Sequence, residues 1–134
     1  MQEPFEFLNA AMARADHLYL WTHYFDKGVI SAHPTVARHF VRKLDRSFDA
    51  GERSYRMHAR SYLVPEYKGN ITGYWEGGLE QITYWIEQDA LLDHLRRGGF
   101  EDIRIHADTV GDGMPILSLC ASRTAEPRVL DPTV

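Results

Sequence analysis

Apolar positions in residues 84–123 fall into three successive patterns, which predict a helix, a strand and a second strand. Leu91, Leu92 and Leu95 recur at i, i+1 and i+4 and share one helix face, with Asp89, Asp93 and Arg96 on the other. Glu87 and Asp89 in the first turn and Arg96 and Arg97 in the last complement the helix dipole. Gly98 and Gly99 offer the left-handed residue of a helix stop, and Phe100 is the apolar residue that folds back on the helix. Ile103 and Ile105 then alternate with Arg104 and His106, as in a half-buried strand. The more continuous run of Ile116, Leu117, Leu119 and Cys120 suits an inner strand. The connection through Gly111, Asp112 and Gly113 is short, so the two strands are expected to pair antiparallel.

Upstream, Pro4 suits a first helical turn, and Phe5, Leu8 and Met12 recur at i, i+3 and i+7, which predicts a helix over residues 4–15. Residues 17–25 are rich in strand formers. Leu18, Leu20 and Thr22 share one face and Tyr19, Trp21 and His23 the other, so the strand is expected to be covered on both sides. Val36, Phe40, Leu44 and Phe48 follow Pro34 at intervals of four, compatible with a helix. Residues 54–64 read as an exposed strand, with Tyr55, Met57 and Ala59 on one face and Arg56, His58 and Arg60 on the other, forming half of a ribbon near Tyr74 and Trp75. Residues 65–70 form a turn sequence, Gly77 and Gly78 a flexible joint, and residues 124–134 a flexible tail. The order is helix, strand, insertion over about residues 28–83, helix and antiparallel strand pair, which is half of a doubly wound α/β unit. The right-handed crossover rule joins the strand of residues 17–25 and the last two strands in one sheet, within a partial domain of residues 1–123.

Composition adds exclusions. The chain has 134 residues, 44% hydrophobic and 25% charged, with a net charge of −4, which gives no electrostatic case for nucleic acid. A single cysteine excludes an internal disulfide framework, and Cys120 reads as a small strand hydrophobe. No apolar run approaches the ~20 residues of a membrane helix and no basic-then-apolar leader opens the sequence, so a cytoplasmic protein is expected.

Seven histidines form no dense ligand set: His17 and His23, like His33 and His39, lie six apart, while His58, His94 and His106 stand alone. Neither HExxH nor CxxC occurs, and no metal is expected. The GDG at residues 111–113 leads into a strand and reads as a hairpin turn, not a phosphate loop. Two clusters carry candidate chemistry. Thr22, His23 and Tyr24 close the first strand, where ligands of open α/β sheets bind, and His23 is the candidate general base or substrate orienter. The competing reading is an aromatic packing patch. Tyr74, Trp75, Tyr84 and Trp85 are the candidate substrate wall, or else an aromatic core that pins the insertion.

The element order and three segments resemble the C-terminal half of a class I S-adenosylmethionine-dependent methyltransferase. EPFEFLNAAMARADHLYLWTHYFD resembles the fourth helix and fifth strand of that Rossmann-like fold. GYWEGGLEQITYWIEQDALLDHLRRGGFEDIRIH resembles its variable insertion, last helix and sixth strand. GDGMPILSLCASR resembles the turn and seventh strand, which inserts antiparallel between strands five and six. Residues 3–123 are covered. The resemblance implies a substrate-side part of a transferase, with a small-molecule or unidentified methyl acceptor and His23, Thr22, Tyr24, Tyr74, Trp75, Tyr84 and Trp85 on the substrate side. The family's cofactor loop and ribose-binding acid lie upstream of the matched region, so no cofactor-binding residue is assigned and no S-adenosylmethionine is expected on this chain alone. The first strand would then present an unpaired apolar edge, from which self-association, a complementary N-terminal chain or a longer protein of which this is a fragment is expected. The alternative is a non-catalytic, methyltransferase-derived interaction module.

Overall fold

A computed structural model describes residues 3–61 and 81–124. The first helix, α1 (Pro4–Arg14), begins with Pro at its first turn and buries Phe5, Leu8 and Met12. Strand β1 (His17–His23) follows. Two short helices, α2 (Lys27–Ser31) and α3 (Pro34–Ala37), and a 3₁₀ turn (Arg42–Leu44) lead to strands β2 (Arg46–Ala50) and β3 (Arg53–Ser61). Strand β4 (Ile82–Ile86) precedes helix α4 (Gln88–Arg97), and β5 (Asp102–Gly111) and β6 (Met114–Ser122) complete the described elements.

The strands form two antiparallel sheets. In the first, β6 lies between β1 and β5 and is antiparallel to both, so the apolar run at residues 116–120 is the inner strand and the 17–23 strand shares its sheet, as the pattern predicted. The turn between β5 and β6 is a two-residue hairpin with Asp112 at φ 53° and Gly113 at φ 78°, both left-handed, the combination a type I′ turn requires. A β-bulge between Ile105 and Ala107 shifts the register of β5. The second sheet has the order β2-β3-β4. Helices α1 and α4 bring Phe5, Leu8, Met12, Leu91 and Leu95 into one core with Tyr55 and Met57 of β3 and Leu117 and Leu119 of β6. Gly99, at φ 92°, stops α4, and the amide of Phe100 donates to the Leu95 carbonyl while its ring is buried.

The insertion departs from expectation in three places. The helix allowed by Val36, Phe40, Leu44 and Phe48 does not form: α3 ends at Ala37, and residues 46–50 are a strand. The reason is that these side chains serve different cores. Phe40 packs in a small cluster with Phe25 and Trp85, Phe48 stacks on Phe5 at 4.9 Å in the main one, and Leu44 stays exposed. Residues 53–61 are not an exposed ribbon strand but the buried centre of the second sheet, with both His58 and Arg60 inside. Tyr84 and Trp85, read as leading into the helix, belong to β4, because pairing with β3 holds residues 82–86 extended up to Glu87. Tyr74, Trp75 and the tail beyond residue 124 lie outside the described residues.

The first strand also differs from its predicted two-sided burial. Leu18 and Leu20 face the core, but Tyr19 and Trp21 on the other face are 65% and 61% exposed. Among the described residues β1 pairs with β6 alone, so one edge of this strand is open.

Candidate functional site

Strand alternation decides what the end of β1 can do. His23 lies on the same face as Trp21 and its ring stacks on that of Trp85 at 4.9 Å, with an interplanar angle of 5°. Trp21 meets the same imidazole edge-on at 5.5 Å. On the indole of Trp85 also lies the buried guanidinium of Arg60, 5.2 Å from the ring centre. The His23 Nδ1 is 3.3 Å from the Pro115 carbonyl oxygen. As that oxygen can only accept, Nδ1 carries the proton in this contact and Nε2 keeps its lone pair. Burial pushes the His23 pKa below its ordinary 6.5. The Pro115 carbonyl opposes this shift, and the nearby Arg60 charge adds to it. The imidazole is therefore neutral at pH 7, the form in which it can accept a proton.

Tyr24 turns to the other side. It is buried, and its hydroxyl donates to Asp108 Oδ1 at 2.5 Å, while Gln88 Nε2 donates to Asp108 Oδ2 at 3.0 Å. Burial and the neighbouring carboxylate raise the phenol pKa well above its usual value, so the group stays a hydrogen-bond donor. Thr22 donates its hydroxyl to the His23 carbonyl at 2.9 Å. The substrate wall anticipated from the sequence is thus divided. His23 and Trp85 come together; Thr22 and Tyr24 project from the opposite face of the strand. Tyr84, next to Trp85 on β4, faces the main core and lies under Arg46, 5.7 Å from its ring.

A second cluster, not anticipated, surrounds His58. Its Nε2 is 3.2 Å from Glu87 Oε2, its Nδ1 is 3.6 Å from Asp45 Oδ2, and its ring stacks on Phe25 at 3.6 Å. Asp45 is held in turn by the Ala59 amide at 2.8 Å and by the Arg56 guanidinium. The isolated position of His58 in the sequence hid this, because its partners come from the turn before β2 and the residue before α4. His94 is likewise partnered, 2.6 Å from Asn9 Oδ1 through Nε2. No group of three or more metal-ligating side chains occurs among the described residues.

Depressions border these elements among the described residues. One, of about 310 Å³, lies between α1, β2 and α4 and is lined by Asn9, His94 and Arg97. A second, of about 270 Å³, lies beyond the carboxyl end of β1 against the start of α4, with Asp26, Glu87 and Asp89 around it. A third, of about 250 Å³, has Phe25, Phe40 and His58 in its wall.

These features define a mixed α/β protein whose described strands form two antiparallel three-stranded sheets, with a neutral histidine at the end of the first strand. No family model and no curated protein matches the sequence. Among solved structures the chain is similar in fold to the N-terminal domain of EvdMO1, in one crystal structure with SAH bound and in another in the presence of SAH and D-fucose. Each likeness has a TM-score of 0.56 at 17% identity and covers 92% of this chain. The chain spans 41% of the SAH-bound neighbour's chain and 42% of the other's, less than half of each.

Proposed function

We propose that this chain is the substrate-side part of a methyltransferase-like domain, whose S-adenosylmethionine-binding part is a different stretch of polypeptide. The observation that carries the reading is the half-covered first sheet. An α/β sheet of the Rossmann-like kind is buried on both faces, yet here Tyr19 and Trp21 stand in solvent beside an open strand edge. That edge strand contains no Lys, Arg, Asp, Glu or Pro, the residues that normally protect such an edge. The order β1-β6-β5, with β6 antiparallel between two mutually parallel strands, supports its reading as strands five, seven and six of that fold. The fold likeness to a domain crystallised with SAH, of which this chain spans less than half, supports it further.

The depression at the end of β1 does not suit the cofactor. The depression beyond β1 contains one glycine, Gly28, and a Cβ added there would sit 3.4 Å from Asp26 Oδ1, an ordinary contact. It is therefore no glycine cradle for close backbone approach, and three carboxylates surround it. No step is assigned to the cofactor on this chain. The assigned role belongs to His23: Nε2 takes the proton from an acceptor hydroxyl or amine as that atom becomes the nucleophile, and Trp85 holds the imidazole plane. The runner-up, a non-catalytic module that assembles through the same sheet, shares the open face but gives His23 no role.

Light scattering during size-exclusion chromatography tests the open face. The wild-type chain is expected to associate with rising concentration, and Trp21→Lys to remain monomeric. A wild-type chain that stays monomeric at high concentration would overturn the reading.

A further inference from the structure

The depression around His58 has a chemistry of its own, separate from that of His23. Its apolar wall is Phe25, Phe40 and Ile30, the two aromatic rings meeting at 5.2 Å and 68°. Its polar lining is Lys27, Ser31, Arg42, Asp45, Arg56 and His58. Arg56 is spent on Asp45, at 2.7 Å, but Lys27 and Arg42 have no ion-pair partner among the described residues. In a chain with net charge −4, three cations here face the single carboxylate of Asp45; counting Glu87 behind His58, they still outnumber the acids. The buried imidazole of His58, 8% exposed, is fixed between Glu87 and Asp45 and stacked on Phe25, so this wall is rigid before any ligand arrives. At about 250 Å³ the cavity is too small for a drug-sized molecule, since such sites begin at about 300 Å³.

We infer that this cavity binds a one-ring aromatic carboxylate, its ring against Phe40 and Ile30 and its carboxylate between Arg42 and Lys27. Arg42 offers a planar fork that matches a carboxylate in two hydrogen bonds, and Lys27 adds a point charge. The aromatic wall favours a flat ring over a saturated one through stacking and edge contacts. The assignment does not depend on methyl transfer, because neither His23 nor any cofactor contributes to it.

Calorimetric titration of the full chain with benzoate, benzamide, cyclohexanecarboxylate and inorganic phosphate tests it. Benzoate is expected to bind at least about tenfold more tightly than benzamide, which lacks the charge that Arg42 and Lys27 recognise. It is also expected to bind more tightly than cyclohexanecarboxylate or phosphate. The double variant Lys27→Gln/Arg42→Gln alters two exposed side chains outside the core, and is expected to lower benzoate affinity by at least about tenfold with an unchanged melting temperature. No benzoate binding, equal binding of benzamide or phosphate, or wild-type affinity in the double variant would each overturn the assignment.

Discussion

At the scale of single residues, two histidines carry a pH dependence whose sign follows from their surroundings. Burial lowers the pKa of both His23 and His94 from 6.5, with neighbouring Arg60 and Arg97 adding to the effect. In the unfolded chain each imidazole takes up its proton near pH 6.5; in the folded chain it does so only at lower pH. Between those values the unfolded state holds more protons, so acidification favours unfolding. Folding stability is therefore expected to be level above about pH 7 and to decline as pH falls through 6.5 toward the folded-state values. Urea unfolding at several pH values measures this, and a midpoint unchanged or higher at pH 5.5 would contradict it. The same scale shows why the His58 cluster was illegible. Asp45, His58 and Glu87 are 13 and 29 residues apart along the chain, and no local spacing connects them. His23 and Trp85 were each singled out in the sequence, one by its strand-end position and one as an aromatic, but their stacking was not, because it joins residues 62 apart in the chain.

At the scale of elements, legibility followed the locality of the signal. Helix α4 was readable because its apolar stripe, its terminal charges and its glycine stop all lie within a few turns. The β5–β6 hairpin was readable because its turn chemistry is contained in Gly111, Asp112 and Gly113. By contrast, β4 carries partly or fully buried side chains throughout, since β3 and both hydrophobic clusters surround it, and it runs into α4 with Glu87 making no side-chain cap. Nothing in the residues before Glu87 marks the change from extended to helical. The hairpin supports a sharp prediction. Gly113 has φ 78°, and a Cβ added to it would lie 2.5 Å from the His33 ring. Gly113→Ala is expected to lose about 1–3 kcal/mol of stability from the left-handed backbone alone, with the His33 clash in addition. A denaturant midpoint equal to wild type would show that the turn tolerates a side chain.

For the whole molecule, the two sheets and two long helices share the main core, in which the ring of Phe5 stacks on those of Phe48 and Tyr55, and a smaller cluster forms around Ile30, Val36 and Trp85. Among the described residues, the outer face and one edge of β1 remain open. The sequence pattern placed large side chains on both faces of that strand and so implied cover on both; the described residues supply it on one. The proposed substrate-side reading accounts for this one-sided cover by a further piece of polypeptide that completes the sheet. The substrate-side reading assigns that piece the S-adenosylmethionine site and leaves His23 on this chain. Calorimetric titration of the isolated chain with S-adenosylmethionine is the most direct test of this division. The account predicts no saturable heat in the micromolar range. Micromolar binding by this chain alone would contradict it.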